Sequence, residues 1–184
     1  LKENGLSDNT IVIFSSDNGP WLTFGNHAGN TGGLREGKGT AWDGGLKVPC
    51  IMRWPGKIKP GTICNKLATT MDVLPTIAGY CNAKLSSNKI DGVNIQDLLA
   101  GKLNANPRDE FVYYYDRNNL KAIRKGNWKL LFPCISQTYN FPATIGHDGF
   151  PGKYGSDSVR LSLFDLSTDP GEDRDVKDQY PEIV

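Results

Sequence analysis

The stretch that decides the fold is "IVIFSSDNGP", which occupies positions 11–20. Residues 10–14 are β-branched or aromatic and apolar on both sides of the pleat. This pattern is typical of an inner strand covered on both faces, as in a parallel α/β sheet. An acid and an amide, Asp17 and Asn18, follow the strand directly, before a Gly-Pro turn. Because ligands collect at the carboxyl ends of strands in open α/β sheets, a turn here would let both side chains address one point.

The chemistry of these two side chains suits a metal ion. A carboxylate and an amide oxygen are ligands for a hard cation such as Ca²⁺, and neither is a soft ligand. The alternative is that Asp-Asn-Gly serves only as a turn, since these residue types are common in turns. On these residues alone both interpretations stay open.

A glycine-rich segment follows, and it holds nine of the 21 glycines between positions 19 and 45. A long irregular loop inside a compact domain is usually functional or disordered. Three aromatic residues, Trp21, Phe24 and Trp42, argue against disorder because they need surfaces to pack on. Trp21 and Phe24 would either stack on a ligand ring or belong to a core. We therefore expect an ordered functional loop.

Two residues of this loop are candidates for chemistry. Lys38 lies between two glycines, so its ammonium group would approach a ligand freely and act as an oxyanion partner. The order of residues is not that of a phosphate-binding P-loop. His27 has the pKa range for proton transfer or for donation to a bound anion. The alternatives are a solvated lysine and a histidine that only bonds within the loop. His147 has no partner signal in the sequence and is expected at the surface or, at most, at the edge of a substrate site.

The overall composition narrows the classes of function. The chain has 184 residues, enough for one sizeable domain or two small ones. It carries 21 Lys and Arg against 20 Asp and Glu, which gives no electrostatic argument for nucleic acid or an anionic membrane. No apolar run approaches the roughly 20 residues that cross a bilayer. The four cysteines form no C-x-x-C pair, so we expect buried thiols with one disulfide at most, and not a zinc site.

The rest of the chain predicts an α/β fold in two parts. Positions 48–54 are typical of a strand, and the spacing of apolar residues at 71, 74, 77 and 78 predicts a helix. Beyond a soft boundary near 101–108, short strand patterns joined by turns predict a small antiparallel sheet. Gly5 is typical of a helix C-terminal cap. The opening and closing segments look like parts of helices, so we expect a piece of a longer chain, in which a signal peptide would not be visible.

An ordered series of blocks resembles the type I sulfatases, and most closely their arylsulfatase A-like branch. The blocks are "IVIFSSDNGP", "GLREGKGTAWDGGLKVPCIMRWPG", "TTMDVLPTIAG", "AIRKGNWKLLF" and "LFDLSTDPGEDRDV". They run over nearly the whole chain. The resemblance implies that residues 1–104 are the C-terminal part of an alkaline-phosphatase-like catalytic domain. Residues 105–184 would be a small α+β domain with an antiparallel sheet.

The same resemblance implies roles for individual residues. Asp17 and Asn18 would bind the active-site Ca²⁺, and Lys38 would contact the sulfate. His27 would contact the substrate, as a loop histidine does in some branches, with Trp21 beside it. The intact enzyme would then hydrolyse sulfate esters of a sugar or aryl substrate in a periplasmic, secreted or lysosomal location.

The chain also departs from the family pattern. Asp43 and Lys47 stand where the family often has Glu and Arg, and we expect them to form a local ion pair. Arg35 and Arg53 are expected to pair with carboxylates or to cover apolar surface. No cysteine stands in the C-x-P/A-x-R motif that family members convert to a formylglycine nucleophile, and the paired N-terminal aspartates of the Ca²⁺ site are missing. We expect both upstream, and therefore no turnover by these residues alone.

Two rival functions stay open. A phosphoester hydrolase of the same superfamily would prefer zinc, and it would usually have Asp-His where this chain has Asp17 and Asn18. A sulfatase-like protein could also bind sulfated glycans without cleaving them. The substrate and the oligomeric state are not readable from the sequence.

Overall fold

The computed structural model describes residues 1–140 and 143–184. They fall into two compact units, the first formed by residues 1–15 and 50–109 and the second by residues 16–49 and 110–184. The predicted domain boundary at residues 104 and 105 stays a prediction. The helices are α1 (Asp43–Leu46), α2 (Val73–Tyr80) and α3 (Gln96–Leu99), with 3₁₀ turns at Ser7–Asn9, Leu22–His27 and Thr70–Asp72. The strands are β1 (Val12–Ser15), β2 (Cys50–Arg53), β3 (Glu110–Tyr115), β4 (Asn119–Lys125), β5 (Trp128–Leu131), β6 (Cys134–Thr138), β7 (Gly155–Val159) and β8 (Ser162–Asp165).

Strand β1 corrects one prediction. It pairs antiparallel with β2, with Val12 opposite Arg53 and Ser15 opposite Cys50. All four of its residues are exposed, Phe14 to 70%. Among the described residues the neighbour of β1 is antiparallel, which differs from the predicted parallel pairing, while an inner strand covered on both faces stays a prediction. The apolar run correctly predicted a strand, but its pattern cannot specify which strands and helices cover it.

Helix α2 is built as its spacing predicted, and buried polar contacts fix its start. The Asp72 carboxylate accepts hydrogen bonds from the amides of Thr69 and Val93, at 2.7 and 2.9 Å. Arg108 donates to both carboxylate oxygens, at 2.6 and 3.1 Å. Burial opposes the charge on Asp72, yet the Arg108 guanidinium and the amides outweigh it and hold the pKa of that carboxyl below its usual value. The network ties residue 72 to the segment after α3.

Gly5 forms the predicted cap. Its φ of 65° is in the left-handed region, and its amide donates to the Lys2 carbonyl at 3.1 Å. The amide of Leu6 donates to the Leu1 carbonyl at 3.0 Å. These two bonds are those of a Schellman motif, in which glycine tolerates the left-handed residue.

The second unit contains the predicted antiparallel sheet, which is confirmed. Its strand order is β3-β4-β5-β8, and β6 and β7 form a separate antiparallel pair. Burial alternates along β5, while β8 buries the two successive residues Leu163 and Phe164. Trp42 meets Phe164 edge to face with ring centroids 5.7 Å apart. The buried apolar cluster consists of Ala41, Trp42, Tyr113, Ala122, Leu131, Val159 and Phe164. The glycine-rich segment therefore contributes its own residues to the core.

The cysteines differ from the prediction of buried thiols. All four are free, and Cys50, Cys64 and Cys81 are exposed, while Cys134 is half-buried. Cysteine is apolar enough to be buried in most proteins, but here three of them lie on exposed segments of the first unit. Within the described ranges, every helix is too short or too polar to cross a bilayer.

Candidate functional site

The Asp-Asn-Gly-Pro turn is fixed to the Gly-Lys-Gly loop by backbone hydrogen bonds. The amide of Gly19 donates to the Gly45 carbonyl at 2.8 Å, and the amide of Lys38 donates to the Pro20 carbonyl at 2.9 Å. This approach requires glycine, because a Cβ on Gly19 would collide with the carbonyl oxygen of Gly44. The tertiary structure thus joins two segments that the sequence separates by about twenty residues.

Asp17 and Asn18 keep oxygen atoms available at this turn. Asn18 is half-buried and its Nδ2 donates to the Gly19 carbonyl at 3.2 Å, which leaves Oδ1 without a donor among the described residues. Asp17 is exposed, and within the described ranges its carboxylate makes no hydrogen bond or ion pair. Ca²⁺ takes six to eight oxygen ligands, so these two residues fit part of such a shell. Across the described residues, no three His, Cys, Asp or Glu side chains cluster as a metal site.

Hydrogen bonds hold the backbone of Lys38, while its ammonium group makes no hydrogen bond or ion pair to the described residues and can contact a ligand. The Tyr139 hydroxyl donates to the Lys38 carbonyl at 2.6 Å. The ammonium nitrogen lies 5.4 Å from the centroid of the Trp21 ring, which is 40% exposed. Trp21 in turn meets Phe24 edge to face at 5.0 Å. The structure therefore brings together Lys38 and Trp21, both singled out by the sequence.

His27 is placed differently. It is the exposed last residue of the 3₁₀ turn Leu22–His27, in which Gly25 breaks the helical path with a φ of 57°. No described contact joins its ring to Lys38, Asp17 or Asn18. Its role in substrate contact or proton transfer stays a prediction. His147 is exposed, as expected, with Nδ1 2.8 Å from a carboxylate oxygen of Asp148.

Glu36 is a residue of this region that the sequence reasoning missed. Its φ is 58°, and its carboxylate accepts hydrogen bonds from the Thr138 hydroxyl and the Tyr139 amide, both at 2.7 Å. Burial, with the nearby Glu36 charge, raises the pKa of Tyr139 to about 12, so this phenol stays protonated. The sequence contains one indication of its importance, its position just before the Gly-Lys-Gly run. Its partners lie about a hundred residues later, so local sequence could not reveal them.

Three buried charges anchor the far end of the loop. The Lys129 ammonium lies 2.7 Å from Asp43 Oδ1 and 2.7 Å from Glu172 Oε1, and both Lys129 and Glu172 are 0% exposed. Glu172 Oε2 also accepts the Asp43 amide at 2.7 Å. Burial alone would lower the pKa of Lys129, but the two carboxylates raise it. Burial raises the pKa of Glu172 against the opposing ammonium.

These contacts correct the expected local ion pair. Asp43 pairs with Lys129, not with Lys47, whose side chain is exposed on the other side of the double glycine. Arg35 covers apolar surface, as one of its two expected roles, with its guanidinium carbon 3.7 Å from the Trp42 ring centroid. It also donates to the Glu172 carbonyl at 2.7 Å. Three family-like blocks distant in sequence, which contain Asp43, Lys129 and Glu172, are thereby joined around one buried cluster.

Comparison with known proteins gives the family. A family model described as "Sulfatase" matches residues 1–83, and one described as "C-terminal region of aryl-sulfatase" matches residues 107–184. Arylsulfatase A of Bos taurus is 36% identical over 188 residues, which cover 98% of this chain and 36% of the relative. The chain spans about a third of the length of the curated relatives that it matches.

Solved structures agree with this assignment. The PsFucS1 sulfatase from Pseudoalteromonas sp. matches with a TM-score of 0.81 and 29% identity over 100% of this chain and 36% of its own. The structure of Ps i-CgsB in complex with k-i-k-neocarrahexaose matches with a TM-score of 0.73 and 28% identity, over 100% of this chain and 36% of its own. The predicted fold class, part of an alkaline-phosphatase-like α/β sulfatase with an antiparallel C-terminal sheet, is confirmed. The chain belongs to the sulfatase family and corresponds to a C-terminal portion of the arylsulfatases that it matches.

Proposed function

We propose that the complete protein containing this chain hydrolyses sulfate esters, and that this chain supplies part of its active site. The observation that carries the proposal is the backbone junction between the Asp-Asn-Gly-Pro turn and the loop that holds Lys38. It supports the proposal because Asp17 and Asn18, the proposed oxygen ligands, and Lys38 lie on segments joined by backbone hydrogen bonds, in a chain of the sulfatase family.

Each candidate residue has a distinct proposed role. Asp17 and Asn18 contribute oxygen ligands to a Ca²⁺ ion, which when bound would act as a Lewis acid on the sulfuryl oxygens. The Lys38 ammonium stabilises the negative charge that develops on the same oxygens. Trp21 flanks the substrate beside that ammonium, and His27 contacts the substrate or protonates the leaving oxygen.

The remaining parts of the site are proposed to come from residues outside this sequence. The formylglycine nucleophile is one, because none of the four cysteines stands in the required motif. The remaining Ca²⁺ ligands are also proposed to come from outside this sequence, because the oxygen atoms of Asp17 and Asn18 are too few for a full coordination shell. Residues 1–184 alone are therefore proposed to be inactive. A secreted, periplasmic or lysosomal location is proposed on the same family resemblance.

A sulfated glycan is the proposed substrate class. The structure of Ps i-CgsB in complex with k-i-k-neocarrahexaose supports this choice, since its match covers the whole of this chain. The Trp21 ring, which is 40% exposed and lies beside Lys38, supports it as well, because aromatic rings stack on the apolar faces of sugars.

The decisive experiment replaces Lys38 with alanine in the complete protein. Turnover of a sulfate ester should fall about 100-fold or more, as it does when an oxyanion contact is removed. Lys57→Ala is the matched control, because Lys57 is exposed and lies in the first unit, outside the site. Near-normal turnover by the Lys38 variant would show that the lysine is wrongly assigned.

Two measurements on the same preparation address the rival functions. Metal analysis should find calcium, whereas zinc together with phosphate release would favour a phosphoester hydrolase. Tight binding of sulfated glycans without sulfate release would favour a non-catalytic binding protein.

A further inference from the structure

A second feature of the Lys38 region is a cleft with a volume of about 600 Å³. One wall comes from the loop after the Asp-Asn-Gly-Pro turn, including Leu22 and Asn26, and the other comes from Tyr139, Asn140 and Thr144. Tyr139 links the cleft to Lys38, because its hydroxyl donates to the Lys38 carbonyl at 2.6 Å. A group bound in the cleft would therefore be close to the segment that holds the proposed sulfate contact.

The walls carry hydrogen-bonding groups that the protein does not fully use. Asn26 is exposed, and in the described ranges its amide makes no hydrogen bond to the protein. Thr144 accepts a bond from the Lys153 amide at 2.8 Å, which leaves its hydroxyl proton for another acceptor. Thr23 is 1% exposed, and its hydroxyl has no partner among the described residues. A buried hydroxyl without a partner, such as that of Thr23, is uncommon and calls for a ligand or water, whereas the exposed groups of Asn26 and Thr144 are open to solvent or to a ligand.

Apolar surface lies between these polar groups, at Leu22 and Ile145. A sugar ring has the same mixed character, with an apolar C–H face and a rim of hydroxyl donors and acceptors. Amide and hydroxyl side chains can supply both kinds of partner to such a rim. A bare aryl group would leave them unpaired, at a cost in binding free energy.

The charge of the cleft restricts which sugar fits. Among the lining residues that the structure describes, Glu36 and Tyr139 are the ionisable ones, and none is Lys, Arg or His. Burial and Glu36 raise the pKa of Tyr139 to about 12, so this side chain stays neutral. Glu36 remains, and its carboxylate oxygens already accept bonds from Thr138, Tyr139 and Asn140. A carboxylate or second sulfate in the cleft would therefore meet the negative charge of Glu36, with no cation among the described lining residues to offset the repulsion.

We propose that this cleft is a subsite for an uncharged sugar ring, a neutral hexose or N-acetylhexosamine, of a sulfated saccharide whose sulfate ester contacts Lys38. A uronate or a second sulfated ring is disfavoured there. This inference rests on the proposed sulfatase function and deepens it, because it selects among sulfated glycans.

The test uses the complete protein and three kinds of substrate. 4-Nitrophenyl sulfate has no sugar, and pairs of sulfated disaccharides share the sulfated ring but carry either a neutral ring or a uronate beside it. The neutral member of a pair should have the higher kcat/KM. A preference for the uronate member, or turnover of 4-nitrophenyl sulfate with no turnover of any saccharide, would overturn the subsite. Failure to hydrolyse every sulfate ester would contradict the proposed function itself.

Variants of the lining residues test whether the preference for a neutral ring arises in the cleft. Asn26→Ala should lower kcat/KM for the neutral saccharide by about 3- to 10-fold more than for 4-nitrophenyl sulfate, the range for one lost hydrogen bond. Asn104→Ala is the matched control, since Asn104 is exposed and does not line the cleft. Glu36→Gln should narrow the difference between the neutral and uronate members. Equal effects of Asn26→Ala on both substrates, or an unchanged discrimination in Glu36→Gln, would contradict the assignment.

Discussion

Replacement of Lys129 by methionine tests the buried charge cluster. The ammonium is 0% exposed and lies 2.7 Å from carboxylate oxygens of both Asp43 and Glu172. Its removal leaves two buried carboxylates without a cation, and breaking a buried pair in this way costs about 3–5 kcal/mol. We expect the upper part of that range, because two partners lose their counter-charge at once.

The matched control is Lys102→Met. Lys102 and Asp97 are also 2.7 Å apart, but both side chains are 64% exposed. An ion pair at the surface contributes about 0–1 kcal/mol to stability. The two variants therefore compare ion pairs with the same nitrogen–oxygen distance but different burial. A third variant, Asp43→Asn with Lys129→Met and Glu172→Gln, should recover part of the loss, because no charge is then buried.

Hydrogen exchange measured by mass spectrometry in the complete protein reports the result where it occurs. Peptides that span β5 and β8 should lose protection from exchange in Lys129→Met, and the free energy of opening of these strands should fall by about 3–5 kcal/mol. Peptides that span α2, in the other unit, should be unchanged. A loss below about 1 kcal/mol, equal to that of the Lys102 control, would refute the reasoning that burial makes this cluster costly to break.

Two further predictions concern the other contacts. Arg108→Gln should destabilise the first unit by about 3 kcal/mol, as a broken buried pair does, in urea unfolding near pH 7. The pKa of Asp72 is lowered on folding, so its stabilisation is complete above an unfolded pKa of about 3.9 and is lost as pH falls through the folded value. The loss of stability at acid pH should be smaller in Arg108→Gln than in the unmodified protein. An unchanged dependence of stability on pH would contradict the role given to the Asp72–Arg108 pair. Gly19→Ala should cost about 1–3 kcal/mol and lower sulfate-ester turnover, since its Cβ would collide with the Gly44 carbonyl; normal turnover would show that this junction does not position the site.

The local features were readable from the sequence because each depends on neighbouring residues. The spacing of apolar residues predicted helix α2, and the strand patterns after residue 105 predicted the antiparallel sheet. Gly5 formed the predicted cap, since a left-handed residue at a helix end favours glycine. The candidate residues Asp17 and Lys38 were also found in the sequence, because oxygen ligands and a cation between glycines are recognisable types. Their roles stay proposals.

Tertiary structure decided which distant groups meet. Asp43 and Lys129 are 86 residues apart in sequence, and Glu172 reaches Asp43 across 129. A sequence shows that a buried charge needs a partner, but strand register and loop path determine which partner it finds. The same limit applies to β1, whose apolar pattern predicted a strand but not its antiparallel partner β2. It also explains why the sequence did not indicate Glu36 and Tyr139 as residues of the site. Their hydrogen bonds, including the one from Tyr139 to the Lys38 carbonyl, form only when residues 36–38 meet residues 138–140 in the folded protein.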